Sequence, residues 1–143
     1  MRPPASRLLA LVSCAVGLLL AAAPVTAHHA FTAEFDANKP VTIRGFVTRI
    51  EWTNPHVWVY LDVKDEKGTW TNWGFEMGAP HQLQTRGWTR DMLKVGEELI
   101  VEGSMAKNGP GKMNGRNVTF AATGKKLGAV SSQGQTDSAP AQP

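Results

Sequence analysis

The chain has 143 residues, with 15 Lys+Arg against 12 Asp+Glu, one cysteine, four histidines and five tryptophans. Arg2, Arg7 and Cys14 all lie near the start. Without that first segment the basic excess shrinks to about +1, too little for a dedicated nucleic-acid binder, and disulfides, thiolate metal sites and cysteine nucleophiles are excluded.

Met1 to Arg7 is a basic start, Leu8 to Ala23 an apolar run, and Pro24-Val25-Thr26-Ala27 ends in small residues. This is the three-part build of a secretory signal, with Val25 and Ala27 at −3 and −1, so cleavage is expected after Ala27. The apolar run is too short, and too soon followed by polar chain, for a membrane span. The protein is therefore expected in the bacterial periplasm or outside the cell, with no membrane span once the signal is removed. Leu11-Val12-Ser13-Cys14 resembles a lipobox, but the chain stays apolar through Ala23, and Cys14 reads more simply as part of the signal core.

The segment 28–40 reads as a short N-terminal arm, residues 41–127 as one folded domain, and 128–143 as a Gly/Ser/Gln/Pro-rich disordered tail. In the domain, Val41 to Trp52 alternates apolar and polar residues around Gly45, which predicts a strand with a bulge or bend. Thr53-Asn54-Pro55-His56 is a turn. Val57, Val59, Leu61 and Val63 form one face of a second strand, with Trp58 and Tyr60 on the other. Lys64 to Gly68 is a hairpin loop, and Thr69 to Met77 a third strand. Pro80 to Arg86 reads as a short helix stopped by Gly87, with Thr89 capping a further turn. Glu98 to Met105 is a fourth strand, Lys107 to Gly115 a Gly/Asn loop, and Asn117 to Ala122 a fifth strand. A bent first strand and a helix between strands three and four predict an all-β, five-stranded OB-fold-like Greek-key barrel. A different small barrel or an open sheet is the alternative.

Cleavage after Ala27 would leave His28 with a free α-amine, followed by His29. Amine and imidazole nitrogens can chelate one metal ion, and a further imidazole completes a histidine brace suited to Cu(II). His28, His29 and His56 are the candidate ligands; His81 is a further imidazole, and Glu34 and Asp36 could add oxygen. Against this, two histidines after a signal junction can arise without any metal role, and Asn54-Pro55-His56 can be a turn satisfying its own backbone. Met105 and Met113 flank the Gly/Asn loop and suit Cu(I), though methionines more often fill cores. Asn54, Trp58 and Tyr60 are ligand-face candidates, because OB-folds stack bases or sugars on outward aromatic residues. The competing expectation is that Phe31 and Phe35 fold the arm over that face. No Gly-x-Ser-x-Gly or His-Glu-x-x-His motif is present, and no catalytic residue is assigned.

The words His28-His-Ala-Phe-Thr-Ala-Glu-Phe-Asp36, Lys39-Pro-Val-Thr-Ile43, Glu51-Trp-Thr-Asn-Pro-His-Val-Trp58, Asn72-Trp-Gly-Phe-Glu76 and Arg86-Gly-Trp-Thr-Arg-Asp91 occur in order. Together they resemble the DUF6152 family of small exported bacterial proteins over about residues 28–120. The resemblance implies a small secreted domain of unknown function and no ligand set. Three readings follow: a non-catalytic periplasmic binding or accessory module, with copper as the named ligand; a metal-free adaptor recognising another exported protein through its aromatic face; and, least favoured, a histidine-brace copper oxidoreductase.

Overall fold

A computed structural model describes residues 31–130 of the chain. The expected signal segment, His28, His29 and residues 131–143 lie outside the described residues. Six strands form one sheet: β1 Phe35–Glu51, β2 Trp58–Lys64, β3 Trp70–Glu76, β4 Glu98–Ala106, β5 Lys112–Phe120 and β6 Lys126–Gly128. A single-turn helix, α1 (Pro80–Thr85), joins β3 to β4. β1 pairs antiparallel with β2 and β4, and β4 with β5. A parallel contact from Gly74↔Lys112 to Glu76↔Asn114 closes the ring in the order β1-β2-β3-β5-β4-β1. That is the OB-fold barrel expected from the order of elements.

Alternation along the strands fills the interior. Val57, Val59 and Leu61 face Phe75, Met77, Leu99, Val101 and Met113 there, all 0% exposed. Residues between them point outward. Gly45 makes the bend at which β1 passes from β4 to β2, since it pairs with both Leu99 and Val63. A Cβ there would lie 2.3 Å from the Asp62 carbonyl oxygen and 2.9 Å from Val63 Cγ2. The need at this position is therefore for close backbone approach. At the helix, Pro80 occupies the first turn, Gln82 Oε1 accepts from the Ala79 amide, and Leu83 is buried. Gly87, with φ of 89°, ends it as expected. The buried Trp88 then donates from Nε1 to the Gly128 carbonyl at 2.9 Å.

Three expectations need correction. There are six strands rather than five: β6 pairs Gly128 with Asn117 and takes up the edge of β5 beyond its contact with β3. The boundary placed at Pro40 falls inside β1, which begins at Phe35, and residues 128–130 are built into the barrel, with Ala129 fully buried and its carbonyl accepting from the Gly78 amide. β5 begins at Lys112, inside the expected Gly/Asn loop. Gly115 belongs there because a Cβ would meet Phe75 at 3.1 Å. Gly109 and Gly111, with φ of 113° and 100°, do form the turn, whereas Gly115 serves packing within β5.

Gly45→Ala is expected to lower unfolding stability by about 2 kcal/mol, the scale of overpacking in a close-packed interior. Urea denaturation of the variant measures it, and an unchanged midpoint would mean that the bend tolerates a side chain.

Candidate functional site

The outward face of β2, β3, β5 and β4 carries a row of ladder partners: Trp58↔Glu76, Glu76↔Asn114 and Asn114↔Ser104. Outward strand positions usually meet water, yet Glu76 is only 7% exposed, Asn114 2% and Ser104 0%.

Beside this row the N-terminal arm packs onto the barrel. Residues 31–34 are helical and lead directly into β1. Phe31 and Phe35 meet at a tilt, with ring centres 5.7 Å apart, and form a separate buried cluster with Ala106, against which Trp58 packs. Polar contacts fasten the same segment. The Lys107 amide donates to the Glu34 carbonyl at 2.9 Å, the Lys107 ammonium to the Thr32 carbonyl, and the Lys112 ammonium pairs with the Glu34 carboxylate. Lys112 Nζ also lies 4.8 Å from the Trp58 ring centre and 6.0 Å from that of Phe35. The arm thus folds over Trp58, as the competing expectation had it.

His56 stands in the loop between β1 and β2, after a cis Asn54–Pro55 peptide. Its side chain is 38% exposed, and its Nδ1 pairs with Glu76 Oε1. The other Glu76 oxygen, Oε2, accepts from Asn114 Nδ2 at 3.1 Å. A half-exposed imidazole is therefore seated on a buried carboxylate, which is itself held by a buried amide. In metal sites such a carboxylate orients the ring and leaves its second nitrogen for the ion.

The remaining candidates separate. Asn54 is exposed in the turn. Tyr60 is half-buried; its ring carries the Arg49 guanidinium at 3.8 Å, and its hydroxyl donates to Glu51 Oε2 at 3.3 Å. His81 is exposed on α1 and has no contact with the His56–Glu76 pair among the described residues. Met113 is fully buried in the interior, opposite Met105 on β4, and acts as core. Glu34 is engaged by Lys112, while Asp36 accepts from the Asn38 amide at 3.0 Å and pairs with Lys39 at 3.8 Å. Among the described residues no group of three His, Cys, Asp or Glu side chains could hold a metal ion. A copper site on this surface would need His28 and His29 in addition to His56. That donor set of amine and imidazole nitrogens suits Cu(II).

Sequence reasoning assigned no role to Glu76, Asn114, Lys107 or Lys112. Glu76 alternates with Phe75 and Met77 and so reads as a solvent-facing strand residue. Asn114 and Lys112 lie in the stretch whose glycines suggested a loop.

A family model described as "Family of unknown function (DUF6152)" matches residues 15–117. The chain belongs to that family. No curated protein and no solved structure matches it. The DUF6152 match covers the His56 loop, β3 through Glu76 and β5 through Asn117, so the patch described above lies within the family's own span. No helix among the described residues is long and apolar enough to cross a membrane.

Truncating Phe31 to alanine is expected to free the arm from the barrel. Amide exchange at Lys107, whose N–H bonds the Glu34 carbonyl, should accelerate to the rate of an exposed loop, while exchange in β2 and β5 stays slow. Glu34→Gln removes only a surface ion pair, worth less than about 1 kcal/mol, and should leave that amide protected. Equal acceleration in both variants would mean that charge rather than apolar packing holds the arm.

Proposed function

We propose that this DUF6152 protein is an exported, non-catalytic binding module that takes Cu(II) at the arm-covered patch, through the processed N-terminus at His28, His29 and Nε2 of His56. The observation that carries this reading is the docking of the arm. Phe31 belongs to the buried cluster against which Trp58 packs, Trp58 is the ladder partner of Glu76, and Glu76 holds His56. His29 precedes Phe31 by two residues, at most about 7 Å of extended chain. Chain connectivity therefore keeps the expected amine and two imidazoles within short reach of Phe31, whose cluster Trp58 joins. A free α-amine has a reference pKa close to neutral pH, so giving up its proton to a metal ion costs little. The near balance of charge in the processed chain adds nothing for a polyanionic ligand.

The test uses the exported protein with its natural N-terminus. Mass spectrometry should find His28 as the first residue, and titration should find one Cu(II) per chain. His28→Ala and His56→Ala should each weaken binding by more than about tenfold, since loss even of an outer partner costs that much in metal sites. Unchanged affinity in His28→Ala would remove the terminal chelate from the reading.

A second reading, a metal-free adaptor for another exported protein, is favoured by one observation. Trp58 is covered and Tyr60 is stacked under Arg49, but Phe46 is 43% and Trp70 53% exposed, with ring centres 6.4 Å apart on the same outward face. Aromatic residues left open beside each other mark interaction sites. In this reading Phe46→Ser/Trp70→Ser abolishes capture of a partner from periplasmic extract, whereas Trp58→Ala/Tyr60→Ala acts mainly on stability. Capture that survives the first pair but not the second would return the contact to Trp58 and Tyr60.

A further inference from the structure

We propose that Glu76 and Asn114 are positioning residues that hold His56 in the tautomer with its proton on Nδ1, so that Nε2 presents its lone pair to the ligand. What Nε2 takes up rests on the copper reading above; the tautomer does not. The geometry comes from the ladder. Glu76 and Asn114 are register partners on the parallel strands β3 and β5, so the backbone sets the spacing of carboxylate and amide. A carboxylate only accepts hydrogen bonds. Its Oε2 is filled by Asn114 Nδ2 at 3.1 Å, and this turns the Asn114 carbonyl oxygen away from Glu76. Its Oε1 meets His56 Nδ1, which must therefore donate. A neutral ring that donates from Nδ1 has its lone pair on Nε2.

The burial of the row argues for more than a surface ion pair. Glu76 and Asn114 are almost wholly shielded on an outward barrel face, where a carboxylate is costly unless its partners are fixed. His56 is the one member of the three with substantial exposure, so the fixed end of the chain of hydrogen bonds lies inside and the open nitrogen belongs to the residue that reaches solvent. An isolated neutral imidazole prefers its proton on Nε2. The carboxylate reverses that preference and adds electron density to the ring, which strengthens it as a ligand.

The test is long-range 1H–15N correlation of the His56 ring in the full exported chain, without metal and with the ring neutral. Wild type should show Nδ1 protonated and Nε2 bare. Glu76→Gln keeps one acceptor oxygen for Nδ1 and, with the Asn114 amide turned to accept from the new NH2 group, should keep that tautomer. Glu76→Met removes the acceptor without leaving a buried charge and should return the proton to Nε2. Titration with Cu(II) should then find Glu76→Met about 10- to 100-fold weaker than Glu76→Gln. Wild type with its proton on Nε2, or Glu76→Met with the proton still on Nδ1, would overturn the proposal, and the wild-type spectrum decides even if the methionine variant does not fold. Wild type that carries the Nδ1 proton but binds no Cu(II) would end the copper reading and leave the positioning intact.

Discussion

Two phenylalanines on a short N-terminal arm, closing with Ala106 and Trp58 into a buried cluster outside the barrel, determine what the outward face of this OB-fold can do. Segments near a chain end usually fray, because few contacts offset the entropy of ordering them. Here the apolar area of two aromatic rings supplies the driving force, at roughly 25 cal/mol for each Å² removed from water. Lys107 and Lys112 add direction, because they bind the backbone and carboxylate of the same turn. The face that open OB-folds offer to ligands is thereby half covered. The arm packs against the half with Trp58, beside the buried polar row, and leaves the half with Phe46 and Trp70 in solvent.

Burial changes the chemistry of the polar row. Shielded from water, the Glu76 carboxylate depends on Asn114 and His56 for the hydrogen bonds that solvent would otherwise supply. In a dry setting such bonds are stronger and less exchangeable, which makes His56 a ring of defined orientation.

The barrel was readable because its cause is local. Strict alternation in Val57 to Val63, a glycine in the middle of the first strand, and proline and glycine bracketing a single helical turn each leave a direct mark on the sequence. The sixth strand and the early start of β5 were not readable. Three residues at an edge are too few for a periodic signal, and Gly115, required by the approach of Phe75, looks in isolation like loop composition. His56 stood out as a histidine in a turn between strands. Its partners did not, since a glutamate between Phe75 and Met77 has the pattern of an ordinary solvent-facing residue. Only the parallel closure of β3 on β5, a pairing of residues 38 apart, buries it against Asn114. The cover over Trp58 was foreseeable from the cost of leaving outward aromatics bare, although nothing in the sequence showed that lysines in the β4–β5 region would fasten it.

Paramagnetic broadening by a substoichiometric amount of Cu(II), read in amide correlation spectra of the processed protein, tests most directly whether docked arm and His56 make one site. Signals of Phe31, His56, Trp58, Glu76 and Asn114 should vanish together, while those of Phe46 and Trp70 at the other end of the face persist. Broadening confined to residues near the N-terminus, with His56 and Glu76 untouched, would contradict a shared site.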